Sequence, residues 1–431
     1  MAIQTAGGAA GALIVEDSLS TGLPDEIASM EEQILLLQTI PFAALRGLES
    51  YSGGNLFKIV HGANQLPSDW ENFTTENNQH GAATAGAPGQ ANLTDNLALV
   101  NGRLLPRLRA KVGKWYRWRV VHAGPFFFMD LSIEPVVSQH DRSHCTVELQ
   151  LLAKDGIYLP QAPRSVQRLV LPPAGRADVA VRFACADDTK SRSMRLVSGA
   201  RPGASGSWNG DLYWNPLIAT IEIGDDGPAA KPMPESLLPF RPKFPHYLAD
   251  LTQIPKSLIH DRFTLNFTDA AAVLRAPTAH DNEAPPTYAL NGDDSGTCKF
   301  NGLFFNRTTP LRTLKRGTIQ EWTGIGVQGH PLHLHVNPFQ IISMSTVPGD
   351  KTDADEAVRP RNKSAVLDCD KEYGYVCVGD WHDTLQLPNP TAKSLAVFRF
   401  QTDTFTGDDV VHCHYLNHED LGCISFVRIE A

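Results

Sequence analysis

Residues 412–414 of this 431-residue chain read HCH, and this alternation constrains the fold more than any other short segment of the sequence. In a β-strand, side chains at positions i and i+2 share one face, and the residue between them faces the opposite way. An extended segment here sends His412 and His414 to one side and Cys413 to the other. The segment therefore predicts a strand that supplies metal-binding side chains to two separate sites.

A second histidine-rich segment, HPLHLH, begins at His330 and completes both sites. The same rule places His333 and His335 together and leaves the first histidine in the preceding turn. His418 follows Cys413 by five residues, which is enough chain to turn back toward the cysteine. The sequence thus predicts one cluster with a thiolate and a second cluster of imidazoles alone. The first cluster comprises His330, Cys413 and His418, and the second comprises His333, His335, His412 and His414.

These two donor sets favour copper over zinc. Two imidazoles and one thiolate form the trigonal ligand set of a blue-copper electron-transfer centre, and an all-imidazole pocket also suits copper. Structural zinc is the alternative, but its sites are usually single, closed shells of four ligands with paired thiolates. A strand that alternates cysteine and histidine toward opposite faces fits that pattern badly, so copper is the predicted metal.

The rest of the chain indicates an all-β protein. Short apolar or alternating runs are separated by Gly, Pro, Asn and Asp, and long amphipathic helical patterns are scarce, which is typical of sandwiches or barrels. A chain of this length is expected to contain about two to three domains. The segment 227–247 carries six prolines and predicts a linker between domains. The runs predicted as strands are 11–17, 32–40, 97–106, 116–124, 166–173, 177–183, 263–268, 318–326, 339–345, 394–402 and 423–429.

Charge and hydropathy limit the partners that this chain is expected to have. The formal net charge is −9 and no Lys/Arg block opposes it, so neither nucleic acid nor an anionic membrane is an expected partner. No apolar run approaches the roughly eighteen residues of a membrane span. Five N-x-S/T sequons favour a secreted protein. The N-terminal residues, however, have neither the basic region nor the long apolar stretch of a signal peptide.

Both histidine-rich segments resemble the metal-binding motifs of the multicopper oxidases, a family that includes laccases, ascorbate oxidases and ferroxidases. In the last domain of that family, H-P-x-H-L-H and H-C-H-x3-H-x3-G supply the copper ligands, and both motifs stand complete here as HPLHLH and HCHYLNHEDLG. The resemblance implies tandem cupredoxin-like (plastocyanin-like) Greek-key β-sandwiches, with two complete domains and a remnant of a first. The implied division is 1–24 for the remnant, 25–226 for a middle cupredoxin-like domain, 227–257 for the proline-rich linker and 258–431 for the copper-binding domain.

The resemblance also implies a copper type for each ligand and a reaction. His330, Cys413 and His418 match the type 1 ligands, His333 matches a type 2 ligand, and His335, His412 and His414 match type 3 ligands. The implied reaction is one-electron oxidation of a phenol, an aromatic amine or a metal ion at type 1 copper. Electrons then pass through Cys413, His412 and His414, the implied catalytic residues, to a trinuclear copper cluster that reduces dioxygen to water. The family also implies a secreted or extracytoplasmic location.

The sequence departs from the family pattern in the histidines of the second cluster. The family's trinuclear cluster uses four H-x-H pairs, two of them from the first domain, and this sequence has pairs only at 333/335 and 412/414. The opening QTAGGAAGALIVED resembles the end of the family's first domain. We therefore expect a chain that begins at an internal methionine of a longer protein and holds a depleted second site. The alternative is a reduced protein that keeps type 1 copper alone and transfers electrons without reducing oxygen.

Several roles stay open. Cys423 occupies the axial position, ten residues after Cys413, where the family has methionine or an aliphatic residue. A thiol there would be a weak ligand, a thiolate would bind harder, and inert packing is the alternative. In GDWHDTLQLP, His382 and Asp383 are candidates for hydrogen bonds to the ligands or for a turn. The two-domain copper nitrite reductases are a rival family, but their type 1 cysteine is not followed by a ligand histidine, so His414 argues against them.

Two further cysteines, Cys369 and Cys377, lie eight residues apart in a stretch typical of a loop. They can pair in an oxidising compartment, and two free thiols are the open alternative. Seven cysteines in total are too few for a disulfide scaffold at this chain length.

Overall fold

The structure, a computed structural model, describes residues 2–17, 22–41, 96–125, 127–136, 144–186, 192–199, 215–224, 236–269, 298–303, 305–327, 329–345, 369, 374–387, 395–420 and 422–431. Regular structure in these ranges is almost all β-strand, which confirms the predicted all-β class. The α-helices there are α1 (Ala2–Ala6), α2 (Asp25–Ala28) and α3 (Leu416–Asp420). None of these helices has the length and apolar character needed to cross a membrane.

The strands fall into two groups along the chain. The first group is β1 (Glu31–Pro41), β2 (Asn96–Val100), β3 (Arg103–Leu104), β4 (Arg107–Lys111), β5 (Trp115–His122), β6 (Met129–Pro135), β7 (Cys145–Lys154), β8 (Ile157–Tyr158), β9 (Arg164–Val166), β10 (Leu169–Leu171), β11 (Arg176–Cys185), β12 (Ser193–Ser198) and β13 (Asn215–Gly224). The second group is β14 (Ile259–Asp269), β15 (Cys298–Phe300), β16 (Arg312–Lys315), β17 (Thr318–Ile325), β18 (Leu332–Leu334), β19 (Phe339–Ser345), β20 (Trp381–His382), β21 (Thr384–Leu385), β22 (Leu395–Thr402), β23 (Gly407–Cys413) and β24 (Ile424–Glu430).

Strands β1 to β13 form the two sheets of a first sandwich. One sheet has the order β3-β2-β1-β5-β11-β7-β8, with β9 paired to β7, and the other has the order β10-β6-β12-β13-β4. Most neighbours are antiparallel, but β1 is parallel to β5 and β4 is parallel to β13. Apolar side chains from both sheets, such as Trp118, Leu149 and Leu196, fill the space between them.

Strands β14 to β24 repeat this arrangement in a second sandwich. Its sheets have the orders β15-β14-β17-β22-β19-β20 and β16-β24-β23-β18-β21. The parallel pairs recur as β14 with β17 and β16 with β24. Parallel neighbours need a long connection, which here carries the chain from one sheet to the other. The structure thus confirms the predicted tandem β-sandwiches, whereas the boundaries at residues 24, 226 and 257 stay predictions.

The described part of the proline-rich segment lies against both sandwiches. Phe240 forms a β-bridge with Ala162 of the first sandwich. Leu248 and Leu251 pack in one apolar cluster with Trp381 of the second. Short 3₁₀ turns at His246–Leu248 and Lys256–Leu258 shape this path. Residues 236–257 therefore help to hold the two sandwiches together.

The strand predicted at residues 11–17 is wrong. These residues have no regular secondary structure. Leu13 and Val15 are 91% and 80% exposed, and no described strand pairs with this segment. A strand needs a paired neighbour to be stable in water, so apolar alternation alone did not suffice here. The segment is instead held at its end by polar contacts: Asp17 Oδ2 accepts hydrogen bonds from Arg117 Nη1 at 2.9 Å and from Tyr158 Oη at 2.8 Å. Arg119 Nη2 lies 3.8 Å from carboxylate oxygens of both Glu16 and Asp17.

The run 166–173, predicted as one strand, contains the end of β9 and the whole of β10, which lie in different sheets. Between these strands, Arg168 donates from Nε to the fully buried Asp130 Oδ1 at 2.5 Å and from Nη2 to Gly199 O at 2.7 Å. The chain passes from one sheet to the other at this point, which period-two alternation does not indicate.

Disulfides link cysteines in both sandwiches. Cys145 pairs with Cys185 directly across β7 and β11. Cys369 pairs with Cys377, which resolves the alternative left open by the sequence in favour of the disulfide. Among the described residues, Cys413 is the free cysteine.

Candidate metal centre

The three residues of the predicted thiolate cluster come together at one end of the second sandwich. Cys413 Sγ lies 3.6 Å from His330 Nδ1 and 3.7 Å from His418 Nδ1, and the two Nδ1 atoms are 3.2 Å apart. Bonds of about 2.0 Å to nitrogen and about 2.3 Å to sulfur around one ion would place such donors roughly 3.3–3.8 Å apart. The three side chains therefore fit a single metal ion.

Strand pairing and a tight loop position these donors. β18 pairs antiparallel with β23, with His333 opposite His412 and Cys413 as the last residue of β23. The chain then leaves the sheet and forms α3, which carries His418. A main-chain hydrogen bond from Cys423 N to His418 O at 2.8 Å closes the loop. The last ligand is thereby turned back toward the cysteine, as the five-residue spacing predicts.

The thiolate cluster is shielded from water on most sides. Cys413 is fully buried and His330 is 6% exposed. The Phe267 ring stacks on His330 with a centroid distance of 5.1 Å and an angle of 3°. Tyr415 meets His418 edge-on at 5.4 Å. His418 is only half-buried, so its ring is the edge of this cluster closest to solvent.

The structure changes the chemistry expected at Cys423. The sequence left a thiol, a thiolate or inert packing open at this position. Cys423 is disulfide-bonded, so its sulfur is neither a thiol nor a thiolate. That sulfur nevertheless lies within 4.8 Å of the donor atoms of His330 and Cys413. A role at the metal would therefore be that of a weak, neutral sulfur, and this role stays a prediction.

The four imidazoles of the second cluster also meet. His335 Nε2 lies 3.2 Å from His412 Nε2. The His333 ring centroid is 5.2 Å from those of both His412 and His414, and the His412 and His414 centroids are 5.1 Å apart. His335 is exposed, whereas the other three rings are buried or half-buried. One face of this imidazole cluster is therefore open to solvent.

Burial keeps the imidazole cluster unprotonated. It lowers the pKa of His333 to about 4 and that of His412 to about 4. The pKa of His414 lies well below its ordinary value because of burial and of repulsion from charge on His412 and His333, with a smaller contribution from Arg176. Partial desolvation beside the other rings also lowers the pKa of His335. All four rings are thus neutral at pH 7, which is the form that binds metals.

Hydrogen bonds determine which ring nitrogens can bind a metal. His333 Nδ1 donates to Asp383 O at 2.8 Å and lies 2.9 Å from Thr384 Oγ1, and His412 Nδ1 donates to Cys413 O at 2.9 Å. These bonds place the proton on Nδ1 and leave Nε2 of both rings as a donor atom for metal. His414 Nδ1 is buried without a hydrogen bond to any described residue, a cost that a metal ion would remove.

Residues of the first sandwich reach this cluster, and sequence reasoning missed them. Arg176 Nη1 donates to Asp383 Oδ1 at 2.8 Å. Asp155 Oδ2 lies 3.1 Å from His382 Nδ1. Of the two open candidates, Asp383 therefore contacts His333, whereas His382 contacts the first sandwich. These pairs are separated by more than two hundred residues, so no local sequence pattern could have identified them.

Glu419 is a second residue that sequence reasoning missed. Its Oε2 lies 3.9 Å from His412 Nδ1, and burial raises its pKa. Its position directly after His418 was the available signal. That position alone does not indicate a contact with His412. The contact depends on α3, which contains Glu419 and which the sequence did not predict.

A buried acid near the imidazole cluster gives a testable dependence of stability on pH. Asp409 in β23 is 3% exposed, and its Oδ2 accepts a hydrogen bond from Asn337 Nδ2 at 2.7 Å. Burial raises the pKa of Asp409 to about 7. Between about pH 4 and pH 7 the folded chain keeps a proton that the unfolded chain releases, so the free energy of unfolding falls as pH rises through this window.

We expect Asp409→Asn to keep an acceptor for Asn337 and to remove this pH dependence. The variant should exceed the wild type in free energy of unfolding by about 2–4 kcal/mol at pH 8, since each pKa unit corresponds to about 1.4 kcal/mol, and should match it near pH 4. Urea denaturation at both pH values measures the difference. Parallel pH profiles for the two proteins would contradict this expectation.

Comparison with known proteins gives a consistent set of relatives. Residues 278–430 match the family model described as multicopper oxidase. Two curated relatives from Oryza sativa subsp. japonica, multicopper oxidase LPR1 homolog 5 and homolog 3, are 24% identical over 352 residues and 23% identical over 361 residues. These matches cover 77% and 75% of this chain but 48% and 59% of the relatives. The chain therefore spans about half the length of the curated relatives it matches.

Solved multicopper oxidases share the fold. The structure of a Campylobacter jejuni multicopper oxidase, a metallo-oxidase, matches with a TM-score of 0.52 at 16% identity, over 95% of this chain and 66% of that one. McoA from the hyperthermophile Aquifex aeolicus matches with a TM-score of 0.54 at 15% identity, over 94% and 66%. At this identity the likeness concerns the fold alone, and it confirms the cupredoxin-like architecture.

Proposed function

Because this chain belongs to the multicopper oxidase family, we propose that it acts as a copper-dependent oxidoreductase. It would oxidise a small reductant one electron at a time and pass the electrons to dioxygen. His330, Cys413 and His418 would hold type 1 copper. The imidazole cluster would hold type 2 and type 3 copper, with His333 as the type 2 ligand. The observation that carries this proposal is that consecutive residues, 412 to 414, belong to both clusters.

The side chains support this assignment by their chemistry. Copper, when bound, supplies the one-electron redox chemistry that none of these side chains has. Cys413 offers the sulfur of a blue-copper ligand set, and its burial keeps water from competing for the metal. The imidazoles are neutral at pH 7, so they can bind copper without first losing a proton.

The half-buried ring of His418 supports a position for the reductant. A molecule that approaches this edge comes close to the thiolate cluster without entering the core. The reductant would be a phenol, an aromatic amine or a metal ion. Electron passage to the second cluster would follow the peptide bonds that join Cys413 to His412 and His414, because this covalent path is the shortest between the clusters.

One alternative has a specific observation in its favour. The described residues contribute four imidazoles to the second cluster, one of them exposed. This is half of the set that the family uses. A chain with this set would bind type 1 copper and act as an electron-transfer protein without reducing oxygen.

Copper stoichiometry separates these two functions. We expect the chain, after loading with Cu(II), to show an intense visible thiolate-to-copper absorption and to retain more than one copper ion per chain. Copper analysis, electron paramagnetic resonance and oxygen uptake with a phenol or Fe(II) measure this. One ion per chain without oxygen uptake would support the electron-transfer alternative, and absence of the visible band would contradict both.

Oxidised cysteines support a location outside the cytoplasm. The pairs Cys145–Cys185 and Cys369–Cys377 are disulfides, and such bonds persist mainly in oxidising compartments. Asn306, in one of the five sequons, is exposed and available to a glycosyltransferase. A secreted or extracytoplasmic protein is consistent with both features.

A further inference from the structure

His333 donates to the main-chain oxygen of Asp383 and lies within hydrogen-bond distance of the Thr384 hydroxyl. Both of these acceptors are held in place by other contacts. Thr384 Oγ1 donates to Asp383 Oδ1 at 2.9 Å, so its hydroxyl proton points toward the carboxylate. The oxygen of that hydroxyl then faces His333 Nδ1 as an acceptor, at 2.9 Å, beside Asp383 O at 2.8 Å. The Asp383 carboxylate thereby determines how Thr384 contacts the ligand.

That carboxylate is held by the first sandwich. Arg176 donates from Nη1 to Asp383 Oδ1 at 2.8 Å and from Nη2 to Asp383 Oδ2 at 2.5 Å. The two side chains are 29% and 23% exposed, so the pair is partly shielded from water. The planar guanidinium matches both carboxylate oxygens at once, which fixes the orientation as well as the position of Asp383.

Arg176 is in turn rigidly placed. Its Nη1 also donates to Ala174 O at 2.8 Å, and its Nη2 donates to Asp155 O at 2.8 Å. Its main-chain N donates to Asp155 Oδ1 at 3.1 Å. Asp155 contacts His382, the residue before Asp383, at 3.1 Å. Two residues of the first sandwich, Asp155 and Arg176, therefore hold His382 and Asp383, which precede Thr384 in the segment that supports His333.

We propose that Arg176 is a positioning residue for the imidazole cluster, acting from one sandwich, through Asp383 and Thr384, on the metal-binding nitrogen of His333 in the other. The inference rests on the proposed function, because it assumes that His333 binds copper. The hydrogen bonds of the Arg176 side chain go to Asp383, Ala174 and Asp155, none of which is a predicted metal ligand. Its effect is to keep His333 in one tautomer and one ring orientation, with Nε2 toward the other imidazoles.

The test compares Cu(II) binding at the two clusters of the same protein. We expect Arg176→Gln to raise the dissociation constant for Cu(II) at the imidazole cluster by about 10–100-fold, the usual effect of losing an outer partner of a ligand. The visible thiolate-to-copper band should keep its intensity. Titration with Cu(II), followed by electron paramagnetic resonance of the non-blue copper and by the visible band, reports each cluster separately.

Matched variants separate positioning from general destabilisation. Arg182→Gln removes an ion pair of the same strand, with Glu148 at 3.0 Å and within the first sandwich, and should leave both affinities unchanged. Arg176→Lys keeps the charge without the two-pronged contact and should restore the affinity in part. If Arg176→Gln fails to fold, the Asp383→Asn variant is used instead. Asp383→Asn keeps the main-chain carbonyl that contacts His333 and should weaken copper binding at the imidazole cluster in the same way.

The outcomes distinguish this inference from the proposed function. Wild-type affinity at the imidazole cluster of the folded Arg176→Gln or Asp383→Asn variant overturns the role of Arg176 and leaves the proposed function intact. Absence of Cu(II) at the imidazole cluster of the wild-type chain overturns both.

Discussion

Replacement of Cys413 by serine is expected to abolish the intense visible absorption of the copper-loaded protein together with its oxidation of any reductant. The band arises from charge transfer between a thiolate and Cu(II), and a serine hydroxyl is neither soft nor deprotonated at neutral pH. The substitution also removes the sulfur that lies 3.6 Å and 3.7 Å from the two imidazole nitrogens. Absorption spectroscopy and oxygen uptake measure the two losses.

The imidazole cluster provides the internal control for this variant. Cys413→Ser leaves the side chains of His412 and His414 in place, so non-blue Cu(II) should still bind and give its resonance signal. The circular dichroism of the variant should match that of the wild type, since sulfur and oxygen differ little in size at this buried position. Retention of the visible band by the serine variant would refute the ligand assignment.

Replacement of Asp380 by asparagine is expected to lower the free energy of unfolding by about 3–5 kcal/mol, the usual cost of breaking a buried ion pair on one side. Asp380 is fully buried between the sandwiches. It lies 2.8 Å from Lys154 Nζ and accepts two hydrogen bonds from Arg164 at 2.7 Å and 2.8 Å. Asparagine has the same shape but removes the negative charge that faces the buried Lys154 and the partly buried Arg164. Urea denaturation at pH 7 measures the loss.

Asp408→Asn is the matched control, because Asp408 also receives two hydrogen bonds from an arginine, Arg428, but lies at the surface. An exposed pair of this kind contributes little, so the midpoint of unfolding should not change. If Asp380→Asn lowered the free energy of unfolding no more than Asp408→Asn does, the stabilising role assigned to the buried Asp380 would be contradicted.

The same cluster determines how acid affects the wild-type protein. Burial alone would raise the pKa of Asp380, but the charges of Lys154 and Arg164 outweigh burial and hold it well below its usual range. A carboxyl group with a depressed pKa contributes its full stability above the unfolded pKa, near 4, and loses it as pH falls toward the folded pKa. The difference between wild type and Asp380→Asn should therefore shrink below about pH 4.

The sequence predicted the parts of this molecule that depend on short-range geometry. The i, i+2 rule placed His412 and His414 apart from Cys413, and the structure brings each to the predicted neighbours. Ten of the eleven predicted runs overlap strands, because alternation and turn residues are local signals. Other strands, including the long strands β6, β7, β12 and β13, were not predicted. Which metal these groups bind stays a prediction.

The remainder could not be predicted because it depends on distant partners. The segment 11–17 has the alternation of a strand, but a strand forms only where another is available to pair with it. Arg176 and Asp380 look like ordinary surface charges in the sequence. Contact between the two sandwiches buries Asp380 and partly shields Arg176. Cys423 is a similar case, since its spacing indicates a position near the metal but not its oxidation state.

The burial of Asp380 also bears on whether the half of the chain that carries the predicted metal ligands can exist on its own. A fragment that starts after the proline-rich segment would retain all seven predicted donors of both clusters. It would lack Lys154, Arg164 and Arg176, and would expose an apolar surface around an uncompensated carboxylate. Transfer of the ligand motifs into another scaffold would meet the same obstacle, because Asp380 and Asp383 are held by residues more than two hundred positions upstream.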